Sequence, residues 1–222
     1  EVYADEAAAD IALTFDSGSR YDFGNVSFDT ETLSDEVLAS FLAFESGQPF
    51  DAALIARLQR ELTASRYFRQ ANVRADYDSA ASGRIPITVD VTADRPTSYS
   101  IGVGYSTDDG PRLRFSYDNE RRNRAGHQLH AEALVSRVRQ GADFEYRIPA
   151  GNPQRKWWSY RAGLGREDID AGVGAAARLG IRRTSVRELV TVAGFVDALF
   201  EEFTPLSGDR KFAEDNAIIA GF

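Results

Sequence analysis

Cysteine and methionine are both missing from this chain. Without cysteine there is no disulfide frame, no thiol nucleophile and no Cys-ligated metal or cluster. An oxidising compartment tolerates that lack as readily as the cytosol does. Histidine is scarce too, with His127 and His130 as the only two. They stand three apart in a strand-like run, which sends them to opposite faces and argues against a shared metal. No stretch reaches the roughly 20 apolar residues of a membrane helix. A transmembrane barrel stays open, because its strands need only about 9–11 residues, half of them polar. Positive charge is in deficit, with 26 Lys and Arg against 34 Asp and Glu and a net charge of -8. Nucleic-acid binding needs a basic footprint, so no nucleic-acid partner is expected.

What is present is a globular composition over 222 residues, 43% hydrophobic and 27% charged, enough for one large or two ordinary domains. With no initiator methionine, and with "NAIIAGF" ending in unterminated alternation, the chain reads as a segment of a longer protein, cut at both ends. "ADIALTF" (Ala9–Phe15) and "YDFGNVSF" (Tyr21–Phe28) predict strands, with Gly24 as a bulge. The period then changes. Ser34 caps a helix with Asp35 and Glu36 in its first turn. Val37, Leu38, Phe41 and Leu42 share its face, and Gly47 ends it. Asp51 caps a second helix with Leu54, Ile55, Leu58 and Leu62 on one stripe. "ANVRADY" (Ala71–Tyr77) and "RIPITVDV" (Arg84–Val91) come next as a hairpin. Residues 21–93 therefore read β-α-α-β-β, one small sheet with two helices on one face.

"ADRPTS" (Ala93–Ser98) is a boundary, and helical periodicity stops there. About eight strand-like runs succeed it at meander spacing: Tyr99–Ser106, Leu113–Asn119, His127–Val138, Ala142–Ile148, Trp157–Arg166, Val173–Arg183, Glu188–Glu202 and Asp215–Phe222. Tyr99, Ile101, Val103 and Tyr105 alternate with Ser100, Gly102, Gly104 and Ser106. The opposite, polar set mixes Arg112, Arg114, Arg147, Arg161, Arg178 and Arg182 with Asp118, Asp143 and Glu145. A solvated barrel lumen fits that pattern, and so does the outside of a soluble sheet. Tyr99, Tyr105, Trp157, Trp158 and Tyr160 near strand ends suit a membrane interface, while Phe115, Phe144 and Phe195 fall mid-strand.

The motifs that could carry chemistry fail on context. Gly172-x-Gly174-x-x-Ala177 has the letters of a dinucleotide fingerprint, but a polar run precedes it and an alternating one succeeds it. "TDDGP" lacks the rest of a calcium loop. Glu120-Arg121-Arg122-Asn123-Arg124 reads as a hairpin loop. No catalytic constellation emerges, so no catalytic, cofactor or metal residues are assigned and no enzyme is expected.

Several stretches carry a resemblance. They are "RYDFGNVSF" (Arg20–Phe28), "FESGQPFDAALIARLQRELTASRYFRQANV" (Phe44–Val73), "YSIGVGYSTDDGPRLRFSYDNERRNRAGHQLHAEALVS" (Tyr99–Ser136) and "YRIPAGNP" (Tyr146–Pro153). Gly47–Asp51 and Leu62–Phe68 match the POTRA pattern, and "GYSTDDGPR" with "NRAGHQL" points to the TamA branch. Over about residues 20–170 the chain resembles the BamA/TamA family of outer-membrane proteins with POTRA domains; beyond that it is only barrel-like. The resemblance implies an α+β POTRA domain followed by the N-terminal half of an antiparallel transmembrane β-barrel. Residues 1–19 would hold the last strand of a preceding POTRA domain, 20–95 a POTRA domain in the periplasm and 96–222 the partial barrel in the outer membrane. The family's Arg-Gly-[Phe/Tyr] loop and closing strand are absent, so an eight-strand half-sheet would leave a long unpaired edge.

The resemblance further implies assembly or translocation of β-rich client proteins, with no cofactor. The implied partners are a TamB-like inner-membrane-anchored protein, unfolded outer-membrane clients and outer-membrane lipid. Two unpaired strands are the candidate pairing sites. One is the first barrel strand, with Ser98, Tyr99, Ser100, Ile101, Gly102, Val103, Gly104 and Tyr105. The other is the POTRA edge, with Ala71, Asn72, Val73, Arg74 and Ala75. Alternative readings are a BamA-like general assembly factor, a two-partner secretion transporter, and a soluble periplasmic protein whose second domain is a β-sandwich.

Overall fold

The computed structural model describes residues 2–3, 8–9, 20–187, 189–206 and 213–222. Val2–Tyr3 (β1) pairs with Ala8–Ala9 (β2) as a short antiparallel ladder. The strand expected over Ala9–Phe15 otherwise lies outside the described residues.

The β-α-α-β-β module is Asp22–Asp29 (β3), Asp35–Ala39 (α1), Ala52–Ala64 (α2), Phe68–Ala75 (β4) and Arg84–Ala93 (β5). Its sheet runs β3-β5-β4, with β3 parallel to β5 and β4 antiparallel to it. The bulge expected at Gly24 is there as a register shift between Phe23 and Val26. A Cβ at Gly24 would lie 2.8 Å from the Ile85 carbonyl atoms, so only glycine lets the two strands approach. Asp51 caps α2 by accepting from the Ala53 N–H at 2.8 Å. The first helix departs from expectation. It stops at Ala39, and the Ser34 side chain makes no capping bond. Gly47 does not end it; at φ +88° it sits in a later turn, and its N–H donates to the Phe23 carbonyl. Phe41 is nonetheless buried, together with Phe23, Leu33, Leu38, Leu58, Leu62, Tyr67, Phe68, Ile85, Ile87 and Val89.

The eight remaining strands form one antiparallel sheet in strict chain order. They are Thr97–Ser106 (β6), Gly110–Asn119 (β7), Gln128–Ser136 (β8), Arg139–Pro149 (β9), Lys156–Ile169 (β10), Gly172–Arg187 (β11), Val190–Pro205 (β12) and Ala213–Gly221 (β13). Gly172-x-Gly174 opens β11 at a hairpin with no helix after it, as its context predicts. The sheet is not closed: β6 and β13 are its two edges.

The register carries the sequence alternation from β6 to β11 and joins its rows to β12 and β13. One row reads Ile101, Phe115, Ala133, Ala142, Leu164, Ala177, Phe200 and Asn216. The next row on the same face reads Tyr99, Tyr117, Ala131, Phe144, Ala162, Leu179, Ala198 and Ile218. Among the described residues the buried hydrophobic side chains all belong to the module, at positions 23–89, and the buried side chains of the sheet are polar, such as Ser116, Ser159 and Thr184. Tyr99, Ile101, Val103 and Tyr105 are 67–84% exposed. The soluble-sandwich alternative fails here. A sandwich buries the facing sides of two sheets, whereas this is one sheet with its apolar face uncovered.

The opposite face is solvated and charged in both signs. Arg161 pairs with Asp197 at 3.1 Å, Arg114 with Glu132 at 3.4 Å, Arg178 with Asp143 at 3.5 Å and His130 with Asp118 at 2.6 Å. Gly180 leaves room for the first of these, since a Cβ there would collide with the Asp197 carboxylate.

Candidate functional site: two strand edges and the junction between them

Both predicted pairing segments lie on edges. Ser98, Tyr99, Ser100, Ile101, Gly102, Val103, Gly104 and Tyr105 are all in β6, bonded to β7 on one side only. Ala71, Asn72, Val73, Arg74 and Ala75 are in β4, the outer strand of the module sheet next to β5. The strand ends at Ala75, and Tyr77 instead packs edge-on against Tyr21 and Phe50. Within β4, Ala71 and Val73 are buried against the core while Asn72 and Arg74 are exposed. Neither strand contains proline, so no residue lacks an N–H for a further ladder. The two edges are not brought together into one site.

Gly104 has a role that alternation does not reveal. A Cβ at Gly104 would lie 2.8 Å from Arg112 Nε, and one at Gly102 would lie 3.8 Å from the Arg114 Cβ. Gly104 leaves room for the Arg112 side chain of β7 to lie over β6, whereas Arg114 turns the other way, to Glu132 on β8.

The histidines take separate partners, in keeping with opposite faces. His130 meets Asp118, and His127 Nδ1 lies 2.8 Å from the Tyr146 hydroxyl. Among the described residues no three His, Asp or Glu side chains gather into a metal site.

Sequence reading missed the junction between module and sheet. Glu61, on α2, accepts from Asn152 at 2.8 Å and Arg155 at 2.7 Å, both in the β9–β10 turn, and from Arg57 at 3.0 Å. Tyr67 donates to the Gly126 carbonyl at 2.7 Å, Arg66 pairs with Glu120 at 2.8 Å, and the Ser34 N–H donates to the Arg124 carbonyl at 2.8 Å. Between these anchors opens a cavity of about 560 Å³ that includes Arg66, Glu120, His130, Arg147 and Trp157 in its lining. Nothing in the periodicity marks the contacts between module and sheet, because each joins residues more than 50 positions apart.

Burial would raise the Glu61 carboxyl, but the Arg57, Asn152 and Arg155 hydrogen bonds outweigh it and hold its pKa below the ordinary carboxylate value. A depressed folded-state pKa stabilises above the unfolded value and is lost as pH falls through the folded one. The junction should therefore weaken below about pH 4.5. Glu61→Gln should cost about 1 kcal/mol at neutral pH and remove that part of the acid sensitivity. Protease cleavage within Ala93–Ser98, followed from pH 7 to pH 3, checks both.

Solved structures that share the fold include a BamA and a CdiB. One is BamA from Haemophilus ducreyi lacking POTRA domains 1–3, at a TM-score of 0.72 and 12% identity, covering 93% of this chain and 43% of that one. CdiB from Acinetobacter baumannii has a TM-score of 0.63 at 11% identity, covering 90% of this chain and 42% of that one. A separate likeness concerns the C-terminal part. The family model "Acetyl co-enzyme A carboxylase carboxyltransferase-like" matches residues 165–222. The carboxyltransferase subunit alpha of Xanthobacter autotrophicus is 70% identical over 30 residues, 14% of this chain and 10% of that protein. That of Brucella ovis is 68% identical over 28 residues, 13% of this chain and 9% of that protein. The chain thus spans about a tenth of the curated relatives it matches, and less than half of each solved structure. From its likeness to BamA and CdiB, the chain has the fold of part of those proteins, one antiparallel sheet with a preceding α+β module.

Proposed function

We propose that this chain is part of an outer-membrane assembly or translocation factor of the TamA type, its β-α-α-β-β module a POTRA domain in the periplasm and its sheet the N-terminal half of the barrel. The role is non-enzymatic: recognising unfolded β-rich clients and guiding them to the membrane, with a TamB-like inner-membrane-anchored protein as partner. The observation that carries this reading is β6. It comes directly after the module, exposes a lipid-type face of Tyr99, Ile101, Val103 and Tyr105, and leaves one backbone edge unpaired. Such an edge binds an extended chain by adding a strand, with little demand on sequence. The POTRA reading is supported by the β3-β5-β4 order and by the BamA likeness, whose reach over 93% of the chain extends well beyond the sheet. On β4 the exposed Asn72 and Arg74 flank a second free edge, the one we assign to the partner protein. The carboxyltransferase likeness prompts no activity, being confined to about a tenth of those proteins.

The absence of cysteine makes the test clean. Single cysteines placed along Ser98–Tyr105 should trap a client carrying a matched cysteine in its last β-strand, at alternate positions and in one register. Cysteines at Arg161 or Arg178, on the solvated face, should not. Trapping at those two positions with none along β6 would overturn the proposal.

A further inference from the structure

The two-faced pattern of the sheet changes character near Phe195. From β6 to β11 the charged residues of the strand centres keep to one face, while Arg166, Asp168 and Arg183 reach the other near strand ends. One row of the first face reads Ser100, Ser116, Glu132, Asp143, Gly163 and Arg178, and another reads Ser98, Asp118, His130, Glu145, Arg161 and Gly180. Leu134 and Trp157 are large apolar side chains set among them. On β12 and β13 the same rows continue as Leu199 and Ala217, and as Asp197 and Ile219. Phe195 and Phe203 take that face as well, paired with Arg182 and Gly174. The lipid-type face meanwhile receives Glu202, Asn216 and Glu214, paired in turn with Ala175, Phe200 and Glu202. A strand with aromatics towards water and carboxylates towards lipid fits a barrel poorly.

The same residues fit another period. Val196, Leu199, Phe200 and Phe203 stand at i, i+3, i+4 and i+7, one face of a helix, with Asp197, Glu201 and Glu202 on the other. None of the eight positions from Val196 to Phe203 is glycine or proline, and Thr204-Pro205 then acts as a stop. As a strand, β12 splits that stripe between its two faces, leaving Val196 at 52% and Phe200 at 48% exposure. This change of period falls inside residues 165–222, where the chain matches the carboxyltransferase model, and a carboxyltransferase relative reaches 70% identity over a short stretch.

We infer that the chain changes origin near Phe195. Beyond that residue lies a carboxyltransferase-α-type segment with an amphipathic helix over Val196–Phe203, and β12 holds it as a strand only while it is paired with β11. The segment is a conformational switch at one end of the sheet, not a barrel edge built for lipid. The edge available to clients is then β6 alone.

Spin labels decide between the two forms in the full chain. Cysteines replacing Asp197 and Thr204 lie off the apolar stripe and introduce no second reactive site. Seven residues span about 10 Å in a helix and about 23 Å in a strand. In detergent micelles the Asp197→Cys/Thr204→Cys pair should give the short distance, alone or beside the long one. The Arg178→Cys/Ser185→Cys pair, seven apart on β11, should give only the long one. A distribution holding only the long distance for the first pair overturns the inference. Client trapping at β6 is read independently, so its failure and this one are separable.

Discussion

Ile101→Arg should destabilise the protein in a lipid bilayer by about 2–4 kcal/mol, the cost of an arginine near the midplane of a barrel's outer face. Ser100→Arg, one position away, should cost less than about 0.5 kcal/mol, as a surface substitution does. The contrast arises from the pleat. Ile101 is 72% exposed in a row that continues through Phe115 and Leu164, between the levels of Tyr99 and Val103. Ser100 belongs to the row with Ser116, Glu132 and Asp143, where Arg114 and Arg178 already sit in ion pairs. Denaturant unfolding from phosphocholine vesicles measures both. Equal and small effects would place the Ile101 face in water and remove the membrane from the account. The same pair measured in detergent micelles should differ less, since a micelle deforms around a charge more easily than a bilayer.

Alternation alone leaves that choice of solvent open, but it does carry the order of elements. Leu54, Ile55, Leu58 and Leu62 repeat helically, while Leu129 to Val135 alternate. Turn chemistry at Asp109-Gly110 and Ala171-Gly172 sets the hairpins, and Gly110 and Gly172 indeed have positive φ. Periodicity overextends helix α1 because Phe41 and Leu42 continue the apolar face after the backbone has left the helix, so burial mimics a helical repeat. The two edges are legible in the sequence, since the first strand after a boundary has one neighbour fewer. The junction is not. Glu61 looks like any exposed helix carboxylate, and its partners Asn152 and Arg155 sit in a turn 91 and 94 positions away. β12 misleads in another way. Its residues satisfy a helical and a strand pattern at once, and the strand count alone favours the second.

Tyr67→Ala should cost the module about 3–5 kcal/mol, as loss of a fully buried aromatic does, and Tyr67→Phe should cost about 1–3 kcal/mol by a different route. The ring is 1% exposed and meets Phe68 edge-on at 6.4 Å, so truncation to alanine opens a cavity in the core. The hydroxyl leaves that core and donates to the Gly126 carbonyl in the turn before β8. Burial, reinforced by the Glu120 carboxylate, pushes this phenol well above its usual pKa, so it stays a donor throughout the working pH range. Phenylalanine keeps the packing and leaves the carbonyl without that donor. Gly126 is at φ +72°, and a Cβ there would come within 3.0 Å of the hydroxyl, so the turn is shaped to receive it. Tyr67→Phe should therefore leave the module folded yet free it from the sheet. Unfolding of the module should move modestly, while cleavage within Ala93–Ser98 should rise as steeply as it does on protonating Glu61. If Tyr67→Phe lowers module stability without exposing that linker, the hydroxyl serves only the core, and the junction is held by Glu61, Arg66–Glu120 and Ser34–Arg124 without it.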